Sequence, residues 1–404
     1  MAFKQDINVF VGTRTGVFKG VKLCETVAIE KNLSGLGLNP LQDEITAAGW
    51  GDSDEKDILL GLVNQTVKVY DTELHTFTSN FNAKCGEGSI RGISRYNGSI
   101  LTAVESGELN LWTEGSTPRI KQSIKTGPCI DRMRQNPYEK EIIAVGGQES
   151  DLSLWNLEAE EKCTFRAKNV PHNYLQLRVP IWVSDIAFMQ NSQKIATCSR
   201  YGHLRLYDTK AQRRPVISMD IPEQALTSIS ACSKEHHVIV GSGTGLLMMV
   251  DLRGKGLQSN RYKGFAGGVR DIVCHPTDPY ILSVSLDRYL RLHHLHSKEL
   301  LQKVYLKSKL NCLLMRSDFS LKVEEEESSD EDDTLQEAPR NSGVKDSAEA
   351  AKEMDIIFSE MDSDMPNKTS KLKKIKSLES QFEGKRKPDM SSVIPQKRKK
   401  KIKK

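Results

Sequence analysis

Seven times between residues 7 and 293 the chain repeats one pattern: a short apolar run, a three-residue polar or glycine turn, then an alternating strand ending at an aromatic or bulky position. The closing positions are Val21, Tyr70, Trp112, Trp155, Tyr207, Val250 and His293, spaced 42 to 52 residues apart. Self-similarity of this kind is produced by a four-stranded propeller blade of about 40 to 45 residues. A chain built this way has few alternatives to a closed ring, because each unit can bury its apolar faces only against its neighbours.

Period-two alternation divides the last complete unit into strands at Val269 to Cys274, Tyr280 to Ser285, Tyr289 to His294 and Leu301 to Leu306. Six inner strands precede their blades, at Ile45 to Trp50, Ile90 to Arg95, Ile130 to Arg134, Val183 to Phe188, Leu226 to Ala231 and Val269 to Cys274. The N-terminal unit has no inner strand of its own. An unclaimed strand, Leu310 to Met315, follows the seventh unit and is expected to complete the first, leaving only short, protected sheet edges. Tyr70-Asp71, Tyr207-Asp208 and Val250-Asp251 stand at the Trp-Asp position of the WD40 class, with Trp112-Thr113 and Trp155-Asn156 as looser versions, and Asp287 stands at its tight-turn aspartate. The Gly-His pair of that class is missing from every unit. The repeats thus resemble a degenerate WD40 array, and the expected fold is an all-β, seven-bladed WD40 propeller over residues 1–318.

Beyond the ring the composition changes. Residues 321–364 hold 16 acidic and 4 basic side chains, and residues 365–404 hold 3 and 15. Such a charge diblock is typical of a disordered interaction tail, read as an acidic segment over 319–364 and a basic one over 365–404. Apolar runs reach only five or six residues, too few to cross a bilayer, so an intracellular, soluble chain without membrane contact is expected. The eight cysteines include no CxxC pair and read as reduced, small packing residues.

Catalytic and cofactor chemistry has little to stand on. Gly241-Ser242-Gly243-Thr244-Gly245 mimics a phosphate loop but lacks the following Lys-Ser/Thr and any helix start, so it reads as a hairpin turn. His294 and His296 share one strand face without a third ligand at useful spacing. No nucleophile elbow, HExxH or kinase motif is present, and the expectation is a protein with no enzyme activity, cofactor or metal.

Function is therefore expected on the surface. The loops on one propeller face carry Arg14, Arg91, Arg200, Arg270 and Arg288, interleaved with Glu105, Asp131 and Glu149. Arginine forks gathered there bind phosphate or carboxylate, or else form a solvated rim of local ion pairs. The longest repeat interval holds an insertion, Ala167 to Trp182, and insertions in repeat arrays map to loops on one face. Arg166, Lys168 and Arg178, with Arg213-Arg214 and Tyr174 nearby, mark it as a region to meet RNA or a partner protein, whereas Trp182 reads as core. In the tail, Ser328 and Ser329 each have an acid three residues on and are candidate phosphorylation sites. Residues 347–361 carry apolar positions at helical spacing and read as a short helix, either for a partner groove or transient. The basic clusters, including Lys397, Arg398, Lys399, Lys400 and Lys401, read as nuclear targeting, nucleic-acid contact, or both.

Several segments look like one family. Phe165 to Val170, Leu177 to Trp182, Gln212 to Val216, Arg132 to Gln135 and Lys303 to Leu314 resemble the WD repeat-containing protein 74 family and its fungal counterparts, as does the opening from Val11 to Val21. The resemblance covers residues 7 to about 315, and in the tail it is one of shared character only. It implies a nucleolar assembly factor of the large ribosomal subunit, one that binds early pre-60S particles, works with the ribosomal-RNA processing machinery and its exosome-associated helicase, and is released by an AAA-class ATPase. It carries no catalytic motif. A competing reading, a substrate receptor of a cullin-type ubiquitin ligase, rests on Val250-Asp251-Leu252-Arg253, which resembles the Asp-x-Arg box of WD40 receptors.

Overall fold

The computed structural model of the chain describes residues 7–24, 28–34, 39–115, 118–159, 163–190, 193–253 and 259–321. These form seven four-stranded antiparallel sheets, with no helix among the described residues: a seven-bladed β-propeller. Each inner strand lies within a residue or two of its expected place. Blade 3 begins with Ile90–Tyr96 and blade 4 with Ile130–Gln135, each one residue longer than the alternation suggests, and the outer strand of blade 7 is Leu300–Tyr305.

Burial follows position in the blade. Second strands such as Ser99–Val104 are buried along their whole length, because neighbouring blades cover both faces. Outer strands such as Thr76–Asn82 alternate between exposed and half-buried, as one face meets water. The repeated closing residues lie in third strands, where Tyr70, Trp112, Trp155 and Tyr207 are buried. Three of the four polar ends have partners: Trp112 Nε1 donates to Thr102 at 2.9 Å, Trp155 Nε1 to Ser153 at 3.0 Å and Tyr207 Oη to Asp151 of the preceding blade at 3.0 Å, whereas the buried Tyr70 hydroxyl has none among the described residues.

The apolar core is a chain of seven clusters, each spanning two adjacent blades. Recurring glycines set the spacing. Gly61, at the end of a second-strand apolar run, faces the inner strand of the next blade, where a Cβ would stand 2.7 Å from Ile90 Cγ2. Gly12 meets Ile45 in the same way at 2.7 Å, and Gly146 meets Val183 at 2.8 Å. The glycines let a branched inner-strand side chain seat directly on the neighbouring sheet.

Leu310–Met315 closes the ring. It pairs antiparallel with Val9–Thr13, completing blade 1 in the spatial order Leu310–Met315, Val9–Thr13, Phe18–Leu23, Ala28–Asn32. Its side chains serve three blades: Leu310, Leu313 and Met315 enter the core between blades 7 and 1, and Cys312 enters that between blades 1 and 2. Outside the strand, Arg316 N donates to Asn8 O at 3.0 Å, and the Asn8 side chain holds Leu23 through two bonds of 2.9 Å. Removing the chain beyond residue 308 strips one edge from Val9–Thr13 and uncovers two inter-blade cores. Such a fragment is expected to lose cooperative thermal unfolding by calorimetry; melting as one transition at the full-length temperature would contradict the closure account.

Candidate functional site

All seven inner strands carry a β-bulge at the same place. Register shifts between Ile45/Ala47, Ile90/Gly92, Ile130/Arg132, Val183/Asp185, Leu226/Ser228 and Val269/Asp271, and between Gly12/Thr13 opposite the closing strand, leave one residue unpaired in each. Those residues are Thr46, Arg91, Asp131, Ser184, Thr227, Arg270 and Asn311. A bulge re-aims its side chain, and here the seven form a ring around the mouth of the central channel, lining a cavity of about 110 Å³ together with Glu44, Arg132 and Arg200.

Four of the five face arginines come together there. Arg91, Arg200 and Arg270 line the cavity, and Arg14 reaches its rim, 3.7 Å from Glu44. Arg91 pairs with Glu105 at 2.9 Å. Arg200, from a turn whose backbone N–H donates to Trp182 O, lies over the Trp182 ring at 5.0 Å. The side chain of Arg270 makes no hydrogen bond or ion pair among the described residues, and its buried Nε has no partner. Burial, reinforced by the charges of Arg200 and Arg14, holds its guanidinium below the ordinary arginine range. Arg288 sits apart: its turn opens on the same face, but the side chain reaches outward to the Tyr305 hydroxyl at 3.2 Å.

Below the mouth lies a charged cluster that the sequence reading missed. Arg132 and Arg134 both bond Asp185, at 3.0 and 3.1 Å through their Nε atoms, and Arg134 reaches Asp271 at 3.4 Å. The carboxylates also accept backbone N–H bonds: Asp185 from Ile186 and Ile229, and Asp271 from Ile272 and Leu313. Inner strands of blades 4, 5, 6, 7 and 1 are thereby tied across the channel. Burial opposes the charge on Asp185, but the guanidiniums of Arg132 and Arg134 outweigh it and hold the carboxyl below the usual range. The signal was present in the alternation, since Arg132 and Arg134 share one face of a strand that would otherwise be apolar.

The insertion borders the mouth. Trp182, expected in the core, is half-buried at the rim: its Nε1 donates to Asp131 and its ring meets Tyr201 edge-on at 6.1 Å. An indole with one polar and one apolar edge suits that boundary better than a core lacking an acceptor. Arg178 pairs with Glu149 at 3.0 Å. Arg166 and Lys168 are exposed and serve through their backbones, as Arg166 O accepts from Arg213 Nε and Lys168 N donates to Arg213 O, both at 2.8 Å. The loop tip is a turn held by Asn173, whose Oδ1 accepts the Leu175 and Leu177 amides at 3.0 Å. It presents Tyr174 at 90% exposure and Leu175 and Leu177 at 58%.

The family profile "WD domain, G-beta repeat" matches residues 179–208 and 256–294. WD repeat-containing protein 74 of Bos taurus is 41% identical over 315 residues, spanning 76% of this chain and 80% of that protein. Its Homo sapiens counterpart is 40% identical over the same shares. The chain belongs to the WD repeat-containing protein 74 family. A more distant relative of this family member, "Ribosome biogenesis protein NSA1" of Yarrowia lipolytica, is 26% identical over 318 residues, 67% of this chain and 77% of that protein.

Other expectations can be placed on this WD repeat-containing protein 74 family ring. Residues 241–245 form a hairpin turn, with Gly245 in the left-handed region at φ 90°. Asp287 fulfils the tight-turn role: it accepts the Ala266 and Tyr289 amides at 3.2 Å and pairs with the buried Arg291 at 2.5 Å. The His294 and His296 rings meet edge-on at 5.8 Å, and no group of three metal-ligating side chains occurs among the described residues. All eight cysteines are free, and burial pushes the Cys198 and Cys312 thiols up to about 12, which makes them inert. In the Asp-x-Arg box, Arg253 turns its fork onto its own Asp251 at 2.7 Å, which leaves less of it to offer an adaptor. Ser328, Ser329, residues 347–361 and the basic cluster at Lys397 to Lys401 lie outside the described residues.

The channel cluster sets a stability test. Asp185→Asn removes the fully buried negative partner of two half-buried guanidiniums; breaking a buried pair costs about 3 to 5 kcal/mol, and less where water reaches the arginines. Because the Asp185 carboxyl is held below its ordinary value of 3.8, its contribution is complete above that pH and is lost as the pH falls further. Denaturant unfolding at pH 7 is expected to show the full difference between wild type and variant, shrinking at about pH 3. A difference independent of pH would contradict this assignment.

Proposed function

We propose that the chain is a non-catalytic scaffold in ribosome biogenesis, acting in the nucleus and nucleolus. Its ring docks through the mouth face on proteins of large-subunit precursor (pre-60S) particles and supports ribosomal-RNA processing. The observation that carries this reading is family membership together with the name of the Yarrowia relative, a ribosome biogenesis protein aligned over 77% of its length. The geometry supports it. Arginines without carboxylate partners, an aromatic rim and an apolar loop tip gather on one face, as a protein interface requires.

Cooperation with the RNA-processing machinery and its exosome-associated helicase, and release by an AAA-class ATPase, belong to the same proposal and rest on the family resemblance. Direct contact with ribosomal RNA is assigned to the basic clusters between Lys371 and Lys404, whose charge suits phosphate contact by counterion release, and which also supply nuclear targeting. Phosphorylation of Ser328 and Ser329 would add negative charge to an already acidic segment.

Sedimentation of nuclear extract on a sucrose gradient tests the reading. The protein is expected to migrate with large-subunit precursors and to shift to light fractions after RNase treatment. Migration as a free monomer, or with a ubiquitin-ligase complex, would reject it.

A further inference from the structure

The charges at the channel mouth are partnered with one exception. Arg91 holds Glu105, Arg132 holds Asp185, Arg14 lies beside Glu44, Asp131 accepts from Trp182, and Arg200 stacks on Trp182. Arg270 has the Nε of its fork buried and unmatched, with Glu44 the acidic group nearest in influence. The neutral walls beside it supply no recorded bond: Thr227 Oγ1 donates to Val269 O at 2.6 Å, Ser184 Oγ donates to Leu226 O at 2.8 Å, and the buried Oδ1 of Asn311, which also lines the cavity, is itself without a partner. A half-buried guanidinium whose Nε is shut away from water without an anion is a costly arrangement, and like charges from Arg200 and Arg14 add to the cost.

We propose that the mouth is a receptor for a single carboxylate, an aspartate or glutamate side chain or a chain end, presented by an extended and partly apolar segment of a partner protein, with Arg270 as the receiving fork. This deepens the docking reading of the same face and rests on it.

Size, charge and surroundings all favour a peptide acid. The cavity of about 110 Å³ is well below the roughly 300–1,000 Å³ of small-molecule pockets, so it admits the tip of a side chain but not a nucleotide. Asp131 and Glu44 stand at the mouth. A polyphosphate backbone would meet those carboxylates while finding only Arg270 and Arg200 without acidic partners, too few for a strand that must be neutralised along its length. One carboxylate matches one fork, at two parallel N–H bonds. The insertion leading into Trp182 then offers Tyr174, Leu175 and Leu177 to apolar residues flanking the acid, and exposed side chains of that kind suit a peptide better than a sugar-phosphate chain.

Fluorescence anisotropy on the full chain tests this with three labelled probes: a short peptide alternating glutamate with leucine, the same peptide with glutamine for glutamate, and an oligouridylate. Wild type is expected to bind the glutamate peptide about tenfold more tightly than the glutamine peptide. Arg270→Gln is expected to erase that preference, and Arg288→Gln to keep it. Oligouridylate binding is expected to be equal in wild type and Arg270→Gln. A glutamate preference that survives Arg270→Gln in a protein with wild-type melting would overturn the proposal by placing the contact elsewhere. An equal loss of oligouridylate binding would overturn it in favour of a phosphate site. The wild-type comparison of the two peptides needs no variant, and absence of any glutamate preference there would also overturn it. Should wild type fail to sediment with ribosomal precursors while the peptide results hold, the ribosomal reading falls and the carboxylate site stands.

Discussion

The pairing of Leu310–Met315 with Val9–Thr13 is the contact on which the rest depends. A four-stranded blade cannot bury both faces alone, and each of the seven apolar clusters is shared between two blades. Without closure, blades 7 and 1 would each show an apolar face, and Val9–Thr13 an open edge of the kind that templates aggregation. The closing strand also carries Asn311 into the mouth and the Leu313 amide to Asp271. The residues that finish the ring therefore finish the site.

Charge inside the channel adds a second constraint. Arg132, Arg134, Asp185 and Asp271 connect strands far apart in sequence, and their bonds are made only when the ring has its proper radius. Replacement by apolar groups can leave such clusters' stability unchanged, so their worth lies as much in fixing geometry as in net energy. The mouth inherits that geometry: Arg132 sits between Asp185 below and the bulge ring above, and Arg270 is adjacent in sequence to Asp271.

Much of this was legible in the chain. The repeat spacing, the missing first inner strand and the spare strand at Leu310 together imply a closed seven-bladed ring, because strand period and core burial are local properties of the pattern. The arginines at positions 14, 91, 200 and 270 were assignable to one face from the order of turns. What turns cannot reveal is side-chain direction, and there the reading missed. Arg288 leans outward to Tyr305, and Trp182 rests on the rim beneath Arg200. Nor does alternation expose a bulge, since one unpaired residue in an inner strand leaves no mark in a single repeat. It becomes visible only when Thr46, Arg91, Asp131, Ser184, Thr227, Arg270 and Asn311 are seen at the same height.

Under the proposal above, partners meet the mouth of the ring and not the opposite end. Hydrogen–deuterium exchange of the full chain, free and in isolated large-subunit precursor particles, addresses it directly. Protection on assembly is expected at the turn of Arg200 to Gly202 and along Tyr174 to Trp182, with the opposite turns at Ser53 to Lys56 and Asn136 to Glu141 exchanging as in the free protein. Protection confined to those opposite turns would contradict the account.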